Sequence, residues 1–302
     1  MSQTVSVNCC PVCSGNRLEA VYPSSRLLSC ATCTHVFTQY VVDAGNRHFE
    51  GQVYRQWRQE NQALLIKKAL SRIGFLDPYL AGDSGRVFEL GCGTGETLAV
   101  LQDRGWSAYG ADLSTLSIEI CKEIHPGINV ESDLDAEILS DAVREGFDLV
   151  MGFHVVEHVP DLEELAARLA QWCRPGGLLC LFVPNWESWS RKLFGVDWPG
   201  IMPEHLHQFT PESMRHWLSR AGFRVEQLET KGMAWHWLGG LKRRLSGSRD
   251  LDVTEEKVGM PSHRAMQLLE AADVILQPFL WLEGRRTSGS EMRILARRDS
   301  SF

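Results

Sequence analysis

The sequence predicts an α/β protein: a doubly wound, mostly parallel sheet of seven strands, with a small N-terminal cysteine ribbon and helical insertions. Three observations carry this reading. From residue 86 onward short apolar runs alternate with helical patterns, a glycine-rich turn follows the first run (VFELGCGTGETL, 87–98), and two C-x2-C pairs stand near the start. The 302 residues, 44% of them hydrophobic, suffice for one substantial core with small appendages. A net charge of −7 supplies no global positive field for polyanions. No apolar run reaches the roughly 20 residues of a membrane span. The polar first residues do not read as a leader, and nine cysteines, some in core contexts such as Cys180, suit a reducing cytoplasm.

Residues 1–45 read as the ribbon. Cys10 with Cys13, and Cys30 with Cys33, each offer two thiolates from a tight turn, and the residues between the pairs suffice for a short hairpin. Four sulfurs brought together make a closed tetrahedral Zn2+ site, structural because no position stays open. A redox pair at CPVC would leave the second pair without a purpose. Cys9 and His35 stand beside the pairs as substitute ligands. Residues 46–82 read as a helical linker, with Val53, Trp57, Leu64, Leu65, Ala69 and Ile73 approximating one face. It is a packing helix or a lid, with Tyr54 or Trp57 turned toward a ligand.

Strands follow at 86–90, 107–111, 128–132, 147–152 and 178–183, with two more at 224–229 and 291–297, in a domain spanning 83–302. Asp161 is placed to cap a helix with Glu164 three residues on, and CRPGG (173–177) breaks the chain before the next strand. The insertion at 184–210 carries Trp186, Trp189, Phe194, Trp198 and Phe209, either flat walls for an acceptor or packing beneath a long loop. Residues 232–290 read as two helices flanking a polar segment, suited to homodimer packing or to peripheral contact with a membrane.

Ligands of such sheets lie beyond the carboxyl ends of the strands, near the switch point. Glycines at 91, 93 and 95 lack the G-x-G-x-x-G spacing, and no Gly-Lys-Ser/Thr follows them. Glu89 and Glu96 bracket the turn, which suits a cationic ligand better than a pyrophosphate. The acidic-x-G-x-G-x-G form resembles motif I of the class I S-adenosylmethionine (SAM) methyltransferases. The resemblance runs over about residues 86–230 plus the final strand, through AYGADLS, VESDLD, FDLVMGFHVVEHVPD, RPGGLLCLFVPN and EHLHQFTPESMRHWLSRAGFRV. The ribbon resembles the CPxCG…CxxCG module found ahead of many bacterial methyltransferases.

The resemblance implies a Rossmann-like fold with SAM as methyl donor. It places Glu89, Gly91, Cys92, Gly93 and Gly95 at the cofactor, Asp112 and Leu113 at its ribose, Asp133 and Leu134 at its adenine, and Phe153 and His154 at its methionine end. An acceptor hydroxyl or acidic carbon must also lose a proton. The candidate bases are His158, then His205, then His207, with Glu157 and Glu204 beside them. A two-His, one-carboxylate metal site drawn from these residues has no diagnostic spacing. The expected activity is methyl transfer to oxygen, or carbon, of a small-molecule, sugar or lipid-linked acceptor, by a cytoplasmic protein with or without membrane association. Two alternatives stand beside it. One is a zinc-ribbon RNA methyltransferase, against which count the missing basic stripe and NPPY-like motif. The other is a non-catalytic SAM-binding regulatory or assembly protein.

Overall fold

The computed structural model describes residues 5–6, 8–22, 26–41, 51–80, 82, 84–135, 137–247, 262–285 and 287–300. The start of the expected linker (46–50) and most of the polar segment between the late helices lie outside them. The ribbon consists of β1 (Val5–Ser6), β2 (Leu18–Ala20), β3 (Leu27–Cys30), β4 (Val36–Thr38) and β5 (Tyr40–Val41). β2 and β3 make the hairpin expected between the cysteine pairs, with Leu18 opposite Cys30.

The linker is two helices, α1 (Gly51–Glu60) and α2 (Gln62–Leu76), rather than one. They part at Asn61, whose side-chain amide donates to the Trp57 carbonyl at 2.8 Å. Tyr54 and Arg58 form the buried side of α1, whereas Val53, expected on that side, is 76% exposed. Apolar periodicity misplaced this face because its anchor is an ion pair, Arg58 with Glu96, and not hydrocarbon.

The main domain follows as β6 (Arg86–Leu90), α3 (Glu96–Asp103), β7 (Ser107–Ala111), α4 (Thr115–Ile124), β8 (Asn129–Glu131), α5 (Glu137–Glu145) and β9 (Phe147–Phe153). Then come α6 (Leu162–Trp172), β10 (Cys173–Pro184), α7 (Trp189–Phe194), β11 (His207–Gln208), α8 (Pro211–Arg220) and β12 (Phe223–Lys231). α9 (Ala234–Ser246), α10 (His263–Ile275), α11 (Gln277–Arg285) and β13 (Glu291–Arg298) complete the chain. Seven strands form one sheet in the order β8-β7-β6-β9-β10-β13-β12. Only β13 runs against its neighbours. The order reverses between β6 and β9, so the switch point opens at their carboxyl ends.

Alternate residues of each strand enter two cores. Val87, Leu149, Cys180 and Leu295 pack with Ile73, Leu98 and Leu101 on one side of the sheet. Phe88, Val150, Leu181 and Ile294 pack with Leu165, Leu169, Trp172 and Trp217 on the other. Burial on both sides is why these strands read as continuous apolar runs. Asp161 caps α6 by accepting from the Glu163 and Glu164 amides, both at 2.9 Å. Glu164 turns instead to Arg168. CRPGG does not break the chain before the strand as expected but lies within it: Cys173 pairs with Phe147 and Leu178 with Leu149, so its extra residues form a bulge inside β10.

The aromatic insertion differs most from expectation. Trp186, Phe194 and Trp198 pack with Leu27 and Val36 of the ribbon in a satellite core, Phe209 joins the main core, and only Trp189 is partly open. These rings mostly form a seam rather than the walls of an open pocket. β11, from the same insertion, pairs with β4 and adds a strand to the ribbon sheet, His207 opposite Phe37 and Gln208 opposite Val36. Arg220 of α8 donates to the Val12 carbonyl at 2.6 Å, and the Thr34 and Thr210 hydroxyls lie 2.7 Å apart.

The second late helix, expected as one, is divided ahead of Pro278 into α10 and α11. Among the described residues, ten of the sixteen exposed large hydrophobic ones lie on α9, α10 and α11, so the apolar surface described is concentrated there. Among the described residues, no helix is long and apolar enough to cross a membrane. Trp198 is fully buried in the seam, with its indole N–H on Ser190 at 3.1 Å. Trp198→Ala is expected to remove about 3–5 kcal/mol of stability, read as a lower midpoint in urea denaturation.

Candidate functional site

The turn after β6 passes through Gly91, Gly93 and Gly95 at φ of +69°, +53° and +83°. All three lie in the left-handed region that side chains rarely adopt. The first two positions have different further reasons. A Cβ at Gly91 would collide with the Val155 side chain, whereas a Cβ at Gly93 would meet nothing within 4 Å. Gly91 therefore lets the loop after β9 press against the turn, and Gly93 faces open space. The Gly91 and Cys92 amides donate to the Ala111 carbonyl at 2.7 and 3.1 Å. Asp112 closes the turn from the next strand, accepting from the Gly93 amide on one oxygen and the Ser114 amide on the other, both at 2.9 Å. Cys92 is buried, which raises its thiol pKa.

Glu89 is 1% exposed. One of its oxygens lies 3.8 Å from Arg72, and the other has no hydrogen-bond partner. Burial lifts its pKa to about 8, with Asp112 adding to the rise and Arg72 opposing it. Arg72 comes from α2, donates to Thr97 at 3.0 Å and lies 4.4 Å over the Phe153 ring. The sequence reading missed Arg72, because one arginine in a linker with several basic residues carries no distinguishing signal. Tyr54 lies with its hydroxyl 3.4 Å from Ser117 of α4. With Arg58 on Glu96, α1 thus lies across the helix starts beside the turn. Leu113 is largely exposed, and Asp133, also exposed, accepts from the Asp135 amide at 2.9 Å with Leu134 partly buried beside it. The Asp112–Leu113 and Asp133–Leu134 pairs stand one and two strands over from Glu89.

The loop after β9 carries the second group. His154 holds a left-handed backbone at φ +57°, a strained conformation for a residue with a side chain. Its Nε2 is 3.0 Å from Glu291 and its Nδ1 is 3.4 Å from Glu157. Burial disfavours its charge, but the two carboxylates prevail and lift its pKa to about 9. Glu291 went unnoticed in the sequence because only the antiparallel return of β13, with Glu291 opposite Pro184, brings it here. Glu157 is fully buried, and neither of its oxygens has a hydrogen-bond donor.

His158 and His205 converge on Glu157, whereas His207 does not. His158 Nδ1 donates to the Glu204 carbonyl and His205 Nδ1 to the Gly200 carbonyl, each at 2.9 Å. Their rings meet edge to face, 4.8 Å apart. His207 spends both nitrogens elsewhere: Nε2 on the Val159 carbonyl at 3.0 Å, Nδ1 on His35 of the ribbon at 3.2 Å. Burial pushes the pKa of His205 and of His207 down to about 4.

In the ribbon, Cys10 and Cys33 lie 3.5 Å apart, as do Cys13 and Cys30, and all four sulfurs fall within 4.8 Å of one another. Sulfurs around a tetrahedral zinc at ~2.3 Å stand about 3.8 Å apart, so the donor set fits that ion. All four cysteines are free of disulfides. Ser14 and Thr34 take left-handed backbones in the two turns, each with its amide on the first cysteine of its pair.

The methyltransferase-domain family matches residues 54–228. The chain is similar to the ubiquinone biosynthesis O-methyltransferase of Brucella anthropi, 30% identical over 185 residues, which cover 57% of this chain and 71% of that protein. It is also similar to the protein so named in Chelativorans sp., 29% identical over 178 residues, covering 56% and 68%. Among solved structures, it resembles a chain from a complex between a Haloferax volcanii methyltransferase activator and a methyltransferase. That likeness has a TM-score of 0.52 at 14% identity and covers 83% of this chain and 99% of the other, so it speaks to fold alone.

The two glycines should separate in mutants. Gly93→Ala should cost only the left-handed backbone, about 1–2 kcal/mol. Gly91→Ala should cost clearly more, because Val155 blocks the added methyl; thermal melts compare the two directly.

Proposed function

The chain belongs to the methyltransferase-domain family, and on that premise we propose that it is a SAM-dependent enzyme methylating a hydroxyl oxygen of a small-molecule acceptor. The observation that carries the proposal is the pairing of an open Gly93 with a buried, half-partnered Glu89 at the switch point. A ligand with an ammonium group fits there, since it satisfies the orphaned oxygen and returns Glu89 to its charged form. Oxygen is preferred to carbon because the similar proteins are named O-methyltransferases. The acceptor class stays as broad as small molecule, sugar or lipid-linked precursor.

When bound, SAM supplies a methyl made electrophilic by its sulfonium. Glu89 takes the ammonium of the amino-acid end, and Arg72, held by Thr97 and Phe153, takes the carboxylate. Asp112 accepts from the ribose hydroxyls, with Leu113 beside it, and Asp133 and Leu134 meet the adenine. The backbone of Gly91, Cys92, Gly93 and Gly95 lines the pocket. Phe153 and His154 border the methionine end, and α1 with Tyr54 acts as the lid. The acceptor loses its proton at the cluster of Glu157, His158 and His205, of which His158 is the most open. His207 positions this cluster by holding Val159. Cys10, Cys13, Cys30 and Cys33 hold a structural zinc in a ribbon module (1–45), followed by the linker (46–82) and the transferase domain (83–302). The apolar side of α9 to α11 offers a surface for a membrane or a second copy.

Two experiments test this reading. In calorimetry, Asp112→Ala should weaken SAM binding about 10- to 100-fold, as expected for losing hydrogen bonds to a charged group. Unchanged affinity would remove the ribose assignment, and mass spectrometry with hydroxyl acceptors tests the transfer itself. Elemental analysis should find zinc in the purified chain, and Cys13→Ser with Cys30→Ser should abolish it and lower the melting temperature.

A further inference from the structure

We infer that Glu157, His158 and His205 form a binding site for a divalent first-row transition-metal ion, separate from the ribbon cysteines. One donor atom from each residue lies within 4.8 Å of the other two. Ligands at about 2.0–2.2 Å from a shared ion stand about 3–4 Å apart, so the cluster has only to tighten slightly around an ion.

Three features single this cluster out. Glu157 is fully buried, yet neither oxygen receives a hydrogen bond, and a buried carboxylate in that state is costly. His154 offsets its charge from one side only, at 3.4 Å, and is shared with Glu291, which Arg293 also serves. Finally, each of the two histidines gives its Nδ1–H to a backbone carbonyl, because a carbonyl can only accept. Nε2 is then the atom each ring has to offer a metal, and metal-binding histidines are commonly oriented in this way. His207 has no such freedom, since both of its nitrogens are engaged.

The donor set fixes the kind of ion. Two imidazoles with one carboxylate favour zinc and its neighbours over magnesium or calcium, which seek oxygen. Three protein ligands leave a coordination position open, unlike the four sulfurs of the ribbon. What the ion does rests on the proposed O-methylation: the acceptor hydroxyl takes the open position and gives its proton to water. The electron pair stays on the oxygen, which becomes the nucleophile, so no side chain need remain a base.

The test uses the full chain with its ribbon loaded, titrated with Mn2+ or Co2+ in the absence of acceptor. Elemental analysis and Mn2+ paramagnetic resonance should find one ion beyond those held by the cysteines. Glu157→Gln and His205→Gln should weaken that ion more than about 100-fold, beyond the loss of an outer partner, while ribbon metal and melting temperature hold. If Glu157→Gln fails to fold, His158→Ala at the open edge of the cluster is read in its place. A wild-type chain that binds metal only at the cysteines overturns the inference, as do variants that bind the additional ion like wild type. Because binding is read without acceptor, methylation that persists in a chain lacking this ion defeats the inference and spares the functional reading. The ion binding without methylation of any hydroxyl acceptor does the reverse.

Discussion

Everything in the site depends on how closely two loops approach each other. Gly91 has no side chain, and Val155 occupies the place where one would stand. That contact brings the turn after β6, which is mostly backbone, against the loop after β9, which carries Glu157 and His158. The sheet order makes the meeting possible, because β6 and β9 are neighbours whose connections leave in opposite directions. The glycine turn and the acidic and imidazole groups of the second loop are thereby placed side by side by one missing methyl. The tight fit also explains the strain at His154, which must turn out of β9 with a left-handed backbone to let Val155 come in.

Charge is arranged with similar economy. Glu89, Asp112, Glu157 and Glu291 gather at the carboxyl edge of the sheet, and such a group would repel itself without cations. Arg72 enters from α2 and His154 from the loop after β9, each set between carboxylates or beside an aromatic ring. Glu291 completes the set by serving both His154 and Arg293. Its pKa is held well below the usual carboxylate range: burial works against its charge, but His154 and Arg293 outweigh it. The edge is therefore a near-balanced lattice of charges, in which burial holds Glu89 toward its neutral form.

The sheet, the glycine turn and the cysteine pairs were legible because each is written in local sequence. Alternation fixed the seven strands to within a few residues, apart from the early start of β10 at Cys173. Residues whose roles are set by long-range return were not legible. Glu291, Arg72 and the ribbon-facing Trp198 owe their places to the antiparallel entry of β13, the fold-back of α2 and the pairing of β11 with β4. The histidines show both sides of the problem. All three were visible as titratable groups near strand ends, but only coordinates distinguish His205, with one nitrogen spare, from His207, with none. Aromatic clustering misled for a related reason: the residues that would line a pocket also glue two layers together, and composition does not tell which surface they meet.

The pairing of β4 with β11 makes the ribbon more than an appendage. His35 reaches through His207 to Val159, so the cysteine module and the loop bearing Glu157 and His158 are mechanically continuous. Whatever ion the cysteines capture adds its binding free energy to the folded form of both, by mass action. The order of that loop is thus tied to how firmly the cysteine turns are held.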